Sequence, residues 1–514
     1  MAKGKYEFAG DYVDTQGIIL MGTGGVDRID NKDITSMVIE LNIYESIYNN
    51  AVTGTVVITD AVDLISTLPL TGNERLAFKF NTPSGEIDAS SETGHPFHIF
   101  KLTDKQQVNE GIQSYKLHFC SREMLRSMRT RVSFAANGTL DQIASKIFQD
   151  PEGLDSRKRL TVEPTRNSDK YTFPNMHPLD AMTMLSKRAL TKHGKGAGYY
   201  FYETTQGYYF RSYENMVAVH GRLARQPKEI YDYKVRNTSV GNRMTDNPNS
   251  TSGNKRSIFD DLRSVEAYQF INNYDTAFHQ LTGTYSSNTI AYDFYTKSFN
   301  ETKFDYHAHY GDQLHTDSFV EGTSQESNQR FPIIPAPVDY DQKSVGEYDK
   351  SRISVVTNTR FVHNEDTGMY GVAVESGGLL EAKRVSQENM ILNGTTLRLT
   401  VPGQCQLEAG DVIDFDLRSM QKQGLRHQNK DTRDPLYSGR YLIKTLRHRF
   451  HEGAYKCIMD CVKDSVFTDL ESTSASFPPE SNAVEQQGEI VSTEGGASGY
   501  GDDDTNRESY RGRS

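Results

Sequence analysis

The chain has 514 residues, more than one hydrophobic core usually supports, so two or more domains are expected. It is 36% hydrophobic, with 29 tyrosines, 24 phenylalanines and no tryptophan, the balance of a folded protein with broad polar surfaces for partners. A net charge of −11 argues against a protein that grips nucleic acid through phosphate contacts, although it leaves room for DNA to pass by without being held.

In chain order, Met-Ala-Lys-Gly-Lys is followed by Tyr-Glu-Phe and lacks the apolar core of a signal peptide. No run of eighteen apolar residues follows anywhere, so a cytoplasmic site of synthesis and no membrane span are expected. Residues 17–120 read as short strands: Ile18–Met21, Met37–Ile43, Gly54–Thr59, Leu76–Phe80, Phe97–Leu102 and Ser114–Phe119, separated by turn residues as in a barrel or sandwich. The period then changes. Thr139–Phe148 puts Leu140, Ile143, Ala144 and Ile147 on one helical stripe, and Pro178–Ala189 does the same with Leu179, Met182, Leu185 and Ala189. Tyr199–Tyr202 and Tyr208–Arg211 flank Thr204-Thr-Gln-Gly207 as a hairpin.

Residues 234–257 read as a long connection. Val265–Phe270 and Ala291–Phe299 read as strands, 300–375 is polar with no clear period, and Leu379–Asn389 fits a helix. Strands are expected again at Thr395–Val401, Val412–Leu417, Arg440–Phe450 and Ala454–Val462. Cys457 and Cys461 share a face of the last of these about 13 Å apart, too far to bridge, and with Cys120 and Cys405 they read as buried thiols. From about 467 a disordered tail is expected, in which ten acidic and three basic residues from Asp469 onward carry seven of the eleven net negative charges.

Two β-rich stretches echo one another. Gly54–Thr59, Leu70-Thr-Gly72 and Leu76–Phe80 are matched by Gly394–Thr400, Leu407-Glu-Ala-Gly410 and Val412–Leu417. Two copies of a barrel-like domain in one chain make six in three chains, so a threefold ring can imitate a sixfold one.

Candidate chemistry is sparse. His307-Ala-His309, with Asp305 nearby, could offer two imidazoles from one face of a strand, but no third ligand cluster accompanies them and a polar surface fits as well. Gly22-Thr-Gly-Gly25 lacks the spacing of a phosphate loop and reads as a turn. Glu365-Asp366 and Asp502-Asp-Asp504 lie in polar stretches where solvated charge is the default. Arg122–Arg131 and Arg440–Arg449 are basic clusters; in the second, Arg447 and Arg449 share a face with Thr445 and oppose Leu446 and His448, facing DNA in a lumen, an ion-pair partner on a neighbouring subunit, or an outer surface. No catalytic, cofactor-binding or metal-ligating residue is assigned.

The stretch from Leu41 to Leu70 resembles the N-terminal tube domain of myophage baseplate hub subunits, particularly those of T-even-like cyanophages. The order of strand-rich domain, helical insert, second strand-rich domain and polar tail is similar too; the 300–375 segment and the long acidic tail depart from that pattern. The resemblance implies a mainly β, multidomain fold with α+β inserts: two barrel-like tube domains plus peripheral domains. Residues 1–120 would form the first part of tube domain I, 121–218 an α+β peripheral insert, and 219–256 a return strand and linker completing that domain. Residues 257–378 would begin tube domain II and carry the polar insert, 379–466 would complete it, and 467–514 would be the tail. It further implies a non-enzymatic virion protein assembled in the host cytoplasm: a homotrimeric, pseudo-sixfold hub joining the sixfold tail tube or its initiator to a trimeric central spike. Baseplate wedge proteins would lie around it, DNA would pass through unbound, and no cofactor is implied. A secretion-system spike, related to the same fold, and a tail-associated hydrolase are the alternatives.

Overall fold

Alternation makes the strands. In Thr53–Asp60 (β2) every second residue from Gly54 to Asp60 is buried, so one face meets the core and the other does not. Val38–Ser46 (β1) pairs antiparallel with β2 and buries Leu41 and Ile43. Arg75–Ala77 (β3), Phe97–Asn109 (β4) and Ile112–Cys120 (β5) complete the first strand set. The second set comprises Ala267–Asn272, Thr395–Pro402, Val412–Asp416, Gly439–His451 and Ala454–Lys463. The computed structural model describes residues 9–22, 31–67, 70–90, 95–166, 168–192, 198–218, 228–231, 261–293, 297–316, 331–333, 343–357, 361–363, 370–372, 378–417 and 433–466. The tail expected at 467–514 lies outside them.

Both sets belong to one thirteen-stranded sheet. Inward side chains of the first, among them Val56, Ile58, Leu117 and Phe119, share one core with Leu397, Leu399, Ile443 and Met459 of the second. Burying each such side chain contributes roughly 1.5–3 kcal/mol, against about 1 kcal/mol net for a ladder hydrogen bond, so the shared apolar face dominates cohesion.

The chain leaves the sheet in two excursions, one between the sets and one within the second. The first packs the helices Leu140–Gln149 (α1) and Pro178–Arg188 (α2) on the hairpin Tyr199–Thr204 (β6) and Gly207–Ser212 (β7), burying the expected Leu140, Ile143, Ala144 and Ile147. In α2, Met182 and Leu185 are buried, as is Ala189 just after it, while Leu179 is only partly so. Lys228–Tyr231 (β8), where the sequence suggested a strand returning to the first set, runs parallel to Val412–Asp416 of the second. After Ala267–Asn272 (β9) comes the second excursion, with Ser286–Asp293 (β10) antiparallel to Ser298–Asp305 (β11) and parallel to Ile353–Thr357 (β12). The helix Gly378–Asn393 (α3) leads back into the sheet. The single strand expected over 291–299 is thus the two arms of a hairpin.

With Thr395–Pro402 as β13, Val412–Asp416 as β14, Gly439–His451 as β15 and Ala454–Lys463 as β16, the two sets have one topology. In space they run β1-β2-β5-β4-β3 and β9-β13-β16-β15-β14, which in chain order is first, second, fifth, fourth, third in both. Registers agree around a shared bulge. Ile99 pairs with Phe119 and Lys101 with His118, leaving Phe100 as a bulge; Ile443 pairs with Cys461 and Thr445 with Asp460, leaving Lys444 as the same bulge. The turns before β3 and β14 both place glycine in the left-handed region, Gly72 and Gly410 each at φ 86°, where only glycine is unstrained. Register places Thr53 and Thr396 together, since Cys120 pairs with both Thr53 and His98, and Val462 with both Thr396 and Leu442, His98 and Leu442 each lying two residues before the bulge. Gly54 therefore corresponds to Leu397, three residues from the Gly394 that the sequence echo suggested.

Candidate functional site

The two sets meet where β15 pairs antiparallel with β1, from Thr445 opposite Ser46 to His451 opposite Glu40. The alternation read from the sequence sets the chemistry of this seam: Leu446 and His448 turn into the core, while Arg447 and Arg449 turn outward. Arg447 donates from Nε to Asn42 Oδ1 at 2.8 Å and from its terminal nitrogen to Glu40 Oε1 at 2.7 Å. Arg449 reaches both oxygens of the same carboxylate, at 3.2 and 3.3 Å. Burial pushes the Glu40 carboxyl up, and Arg449, Asn42 and Arg447 more than offset it, leaving the carboxyl below the ordinary range. The ion-pair partner of both arginines is thus Glu40 of the same chain, where the sequence suggested one on a neighbouring subunit.

On the inner side of the seam, Glu45 is buried and accepts from the backbone N–H of Thr205 at 2.6 Å and of Ala409 at 3.0 Å. It thereby ties β1 to the turn of the β6–β7 hairpin and to the turn before β14. His448 Nε2 lies 3.6 Å from Glu45 Oε1, and its Nδ1 is 2.7 Å from the Tyr455 hydroxyl. Burial lowers the His448 pKa, but the neighbouring Cys457 and Glu45 prevail and raise it to about 10. The hairpin adds further ties. Thr204 and Tyr209 both donate to Glu408 Oε2, at 3.0 and 2.7 Å, and buried Arg211 donates to the Gly410 carbonyl at 3.2 Å. The first excursion is thus tied to both strand sets where they join.

Beyond the seam the sheet presents two edges that correspond to its two halves. β9 is the counterpart of β1, and the C-terminal half of β4 is the counterpart of the half of β15 that β1 covers; neither has a further strand beside it among the described residues. The effect on burial is direct. Leu41 and Ile43 of β1 are buried, whereas their register counterparts Tyr268 and Phe270 stay half-buried. Phe450 of β15 is buried, and Gln106 and Gln107 of β4 are exposed.

Other residues singled out in the sequence lie elsewhere. His307 and His309 stand in a helical turn, Tyr306–His309, whose first N–H groups are capped by Asp305. His307 stacks on Tyr285 and His309 on Phe304, so the two imidazoles serve different aromatic neighbours. Among the described residues no group of three His, Cys, Asp or Glu side chains is arranged to hold a metal. Arg122 pairs with Asp155 at 3.0 Å, Arg126 donates to the carbonyls of Gly153 and Pro151, and Arg131 donates to that of Asn175; this cluster closes loops of the insert. All four cysteines are buried and free. Thr23 to Gly25, Glu365-Asp366 and Asp502-Asp-Asp504 lie outside the described residues. No described helix is long and apolar enough to cross a membrane. Glu40 and Glu45, which carry the seam, were missed in the sequence; a carboxylate interrupting the apolar face of a strand, as Glu45 does after Leu41 and Ile43, was the available signal.

No protein-family model and no curated protein sequence matches the chain. Among solved structures it is similar to a tail protein from Neisseria meningitidis MC58, with 9% identity and a TM-score of 0.45 over 88% of this chain and 97% of that one. It is similar to the 43 kDa tail protein of prophage MuSo2 from Shewanella oneidensis, with 10% identity and a TM-score of 0.43 over 87% of this chain and 98% of that one. A third is an Escherichia coli component of the type VI secretion system described as similar to T4 bacteriophage tail proteins gp27 and gp5, with 9% identity and a TM-score of 0.36 over 83% and 73% of the two chains.

Proposed function

We propose that this protein is the central hub of a contractile-tail baseplate, a homotrimer in which six copies of one strand set surround a channel. The observation that carries this reading is the duplication: two sets with one topology, one bulge and one turn, joined within the chain by strand pairing. A chain built this way already contains one joint of a ring, and repeating it through three chains gives six quasi-equivalent units from threefold symmetry.

Such a ring matches a sixfold tube or its initiator on one face and a trimeric spike on the other, with wedge proteins outside. It works by geometry and large permanent interfaces, without catalysis, and DNA or a tape measure passes through the channel without sequence-specific contacts. Its place is the tail of a virion assembled in the host cytoplasm. The sequence resemblance over Leu41–Leu70 supports the same reading. Electron microscopy of the purified chain tests it. Views down the axis should show six similar inner lobes around a hole with threefold features outside, whereas particles with no hole would overturn it.

A further inference from the structure

The in-chain seam contains more than a joint: it is a template for the joint between chains. Resting on the ring reading above, we infer that β9 of one copy adds antiparallel to the C-terminal half of β4 of the next, in the register that β1 adopts against β15. The two edges correspond to the two partners of the seam, with one extra residue in each, near Asp104 in β4 and at Ile271 in β9. Thr103 holds the place of Arg447, because both follow the shared bulge and pair with Lys116 and Ile458 at matching positions of β5 and β16. A further irregularity at Asp104, whose φ is 55°, then shifts β4 by one residue, so Gln106 holds the place of Arg449 and Gln107 that of Phe450. On the other side Asn272, Gln269 and Tyr268 hold the places of Tyr44, Asn42 and Leu41. The seam pairs Arg447 with Tyr44, Arg449 with Asn42 and Phe450 with Leu41. The joint between copies therefore sets Thr103 opposite Asn272, Gln106 opposite Gln269 and Gln107 opposite Tyr268.

Two independent features fit a second copy as occupant. Large apolar side chains are exposed at both edges, Val108 at 57% in the C-terminal half of β4 and Ile271 at 48% in β9, where a free strand edge would otherwise be an aggregation hazard. The half-buried state of Tyr268 and Phe270 is also what covering by one further strand would complete. The joint differs from its template in chemistry. Where the seam has two arginines on Glu40, the positions between copies hold Thr103, Gln106 and Ala267, so amides and apolar contacts replace the ion pairs. The ring then alternates a charged joint within each chain with an amide-lined joint between chains.

The test is a full-length chain carrying Gln106→Cys and Gln269→Cys, oxidised in its native state, with each single variant as control; the native cysteines are buried. Most of the double variant should run as covalently linked dimer and trimer on a denaturing gel, and neither single variant should. A trimer by light scattering that gives no such ladder overturns this pairing and leaves the ring reading standing. A monomer overturns both. A ladder from either single variant means that an edge pairs with its own copy, which also overturns the inference.

Discussion

Ile99 and Ile443 occupy one position in two copies of the same sheet. Each donates its backbone N–H to the carbonyl of an acidic turn residue, Glu74 at 2.9 Å and Asp411 at 2.8 Å. In each turn that acid accepts from the N–H three residues earlier, Thr71 at 2.8 Å for Glu74 and Glu408 at 3.2 Å for Asp411. A shared backbone bond, side-chain turn and bulge, at positions more than three hundred residues apart in the chain, mark a repeated unit, since any single one of them recurs in unrelated sheets.

The repeated turn can be probed on both sides. Gly72 and Gly410 have the same φ of 86°, so alanine at either costs about 1–2 kcal/mol in backbone strain. A Cβ on Gly72 meets nothing nearer than 3.7 Å, whereas one on Gly410 would overlap the Tyr202 hydroxyl and crowd Arg211. Gly410→Ala should therefore cost at least about 1 kcal/mol more than Gly72→Ala, measured by urea unfolding. Equal losses would mean that the hairpin does not bear on this turn.

Glu40 holds both outward arginines of the seam. Glu40→Gln should lower stability by roughly 1 kcal/mol, a figure already reduced for the partial exposure of the group. Because the folded carboxyl titrates below its ordinary 4.5, the contribution is complete above that pH and disappears as pH falls through the depressed value. The wild-type advantage over the variant should accordingly vanish on acidification, and an advantage that persists in strong acid contradicts the assignment.

His315 and Asp464 form a buried pair, with Nδ1 2.9 Å from Oδ2, while Asp464 Oδ1 accepts from the N–H and hydroxyl of Thr316, both at 2.9 Å. Burial opposes charge on both groups, yet each favours the charged form of the other: His315 is raised from 6.5 and Asp464 lowered from 3.8. The histidine contribution is full below pH 6.5 and is lost as pH rises through its raised value. The aspartate contribution is full above pH 3.8 and is lost as pH falls through its lowered value. His315→Ala should cost roughly 3 kcal/mol, most of it between pH 3.8 and 6.5. A loss that grows steadily toward alkaline pH is the contrary result.

Burial pushes the Cys120 thiol up to about 12 and that of Cys405 to about 11. With Cys457 and Cys461 also buried, the native protein should leave a thiol reagent unreacted at neutral pH and release four equivalents only on unfolding. Fast reaction of even one thiol in the native state contradicts the packing.

How far the sequence speaks depends on whether the deciding contacts are local. The stripe of Leu140, Ile143, Ala144 and Ile147, the Thr204–Gly207 turn, and the opposed faces of Arg447 and His448 were all legible, because helical and strand periods are local. The β10–β11 hairpin was not. The sequence between its arms, 294–297, contains no Gly, Pro or Asn, so no break in the strand pattern marks it. The three-residue error in the repeat has a different origin. Gly54 is required inside β2 because a Cβ there would overlap the Phe119 ring, whereas Gly394 lies before β13, where a Cβ would crowd the carbonyls of Met390 and Lys463. Two identical Gly-Thr pairs thus answer to different neighbours. The partner of Arg447 and Arg449 is a glutamate some four hundred residues earlier, which no local pattern reveals.

The mass of the purified chain in solution, by light scattering across a concentration series, bears most directly on the central claim. Three times the 58.0 kDa of one chain, unchanged on dilution, is the predicted result. A single chain mass, or an assembly whose copy number is not a multiple of three, contradicts it.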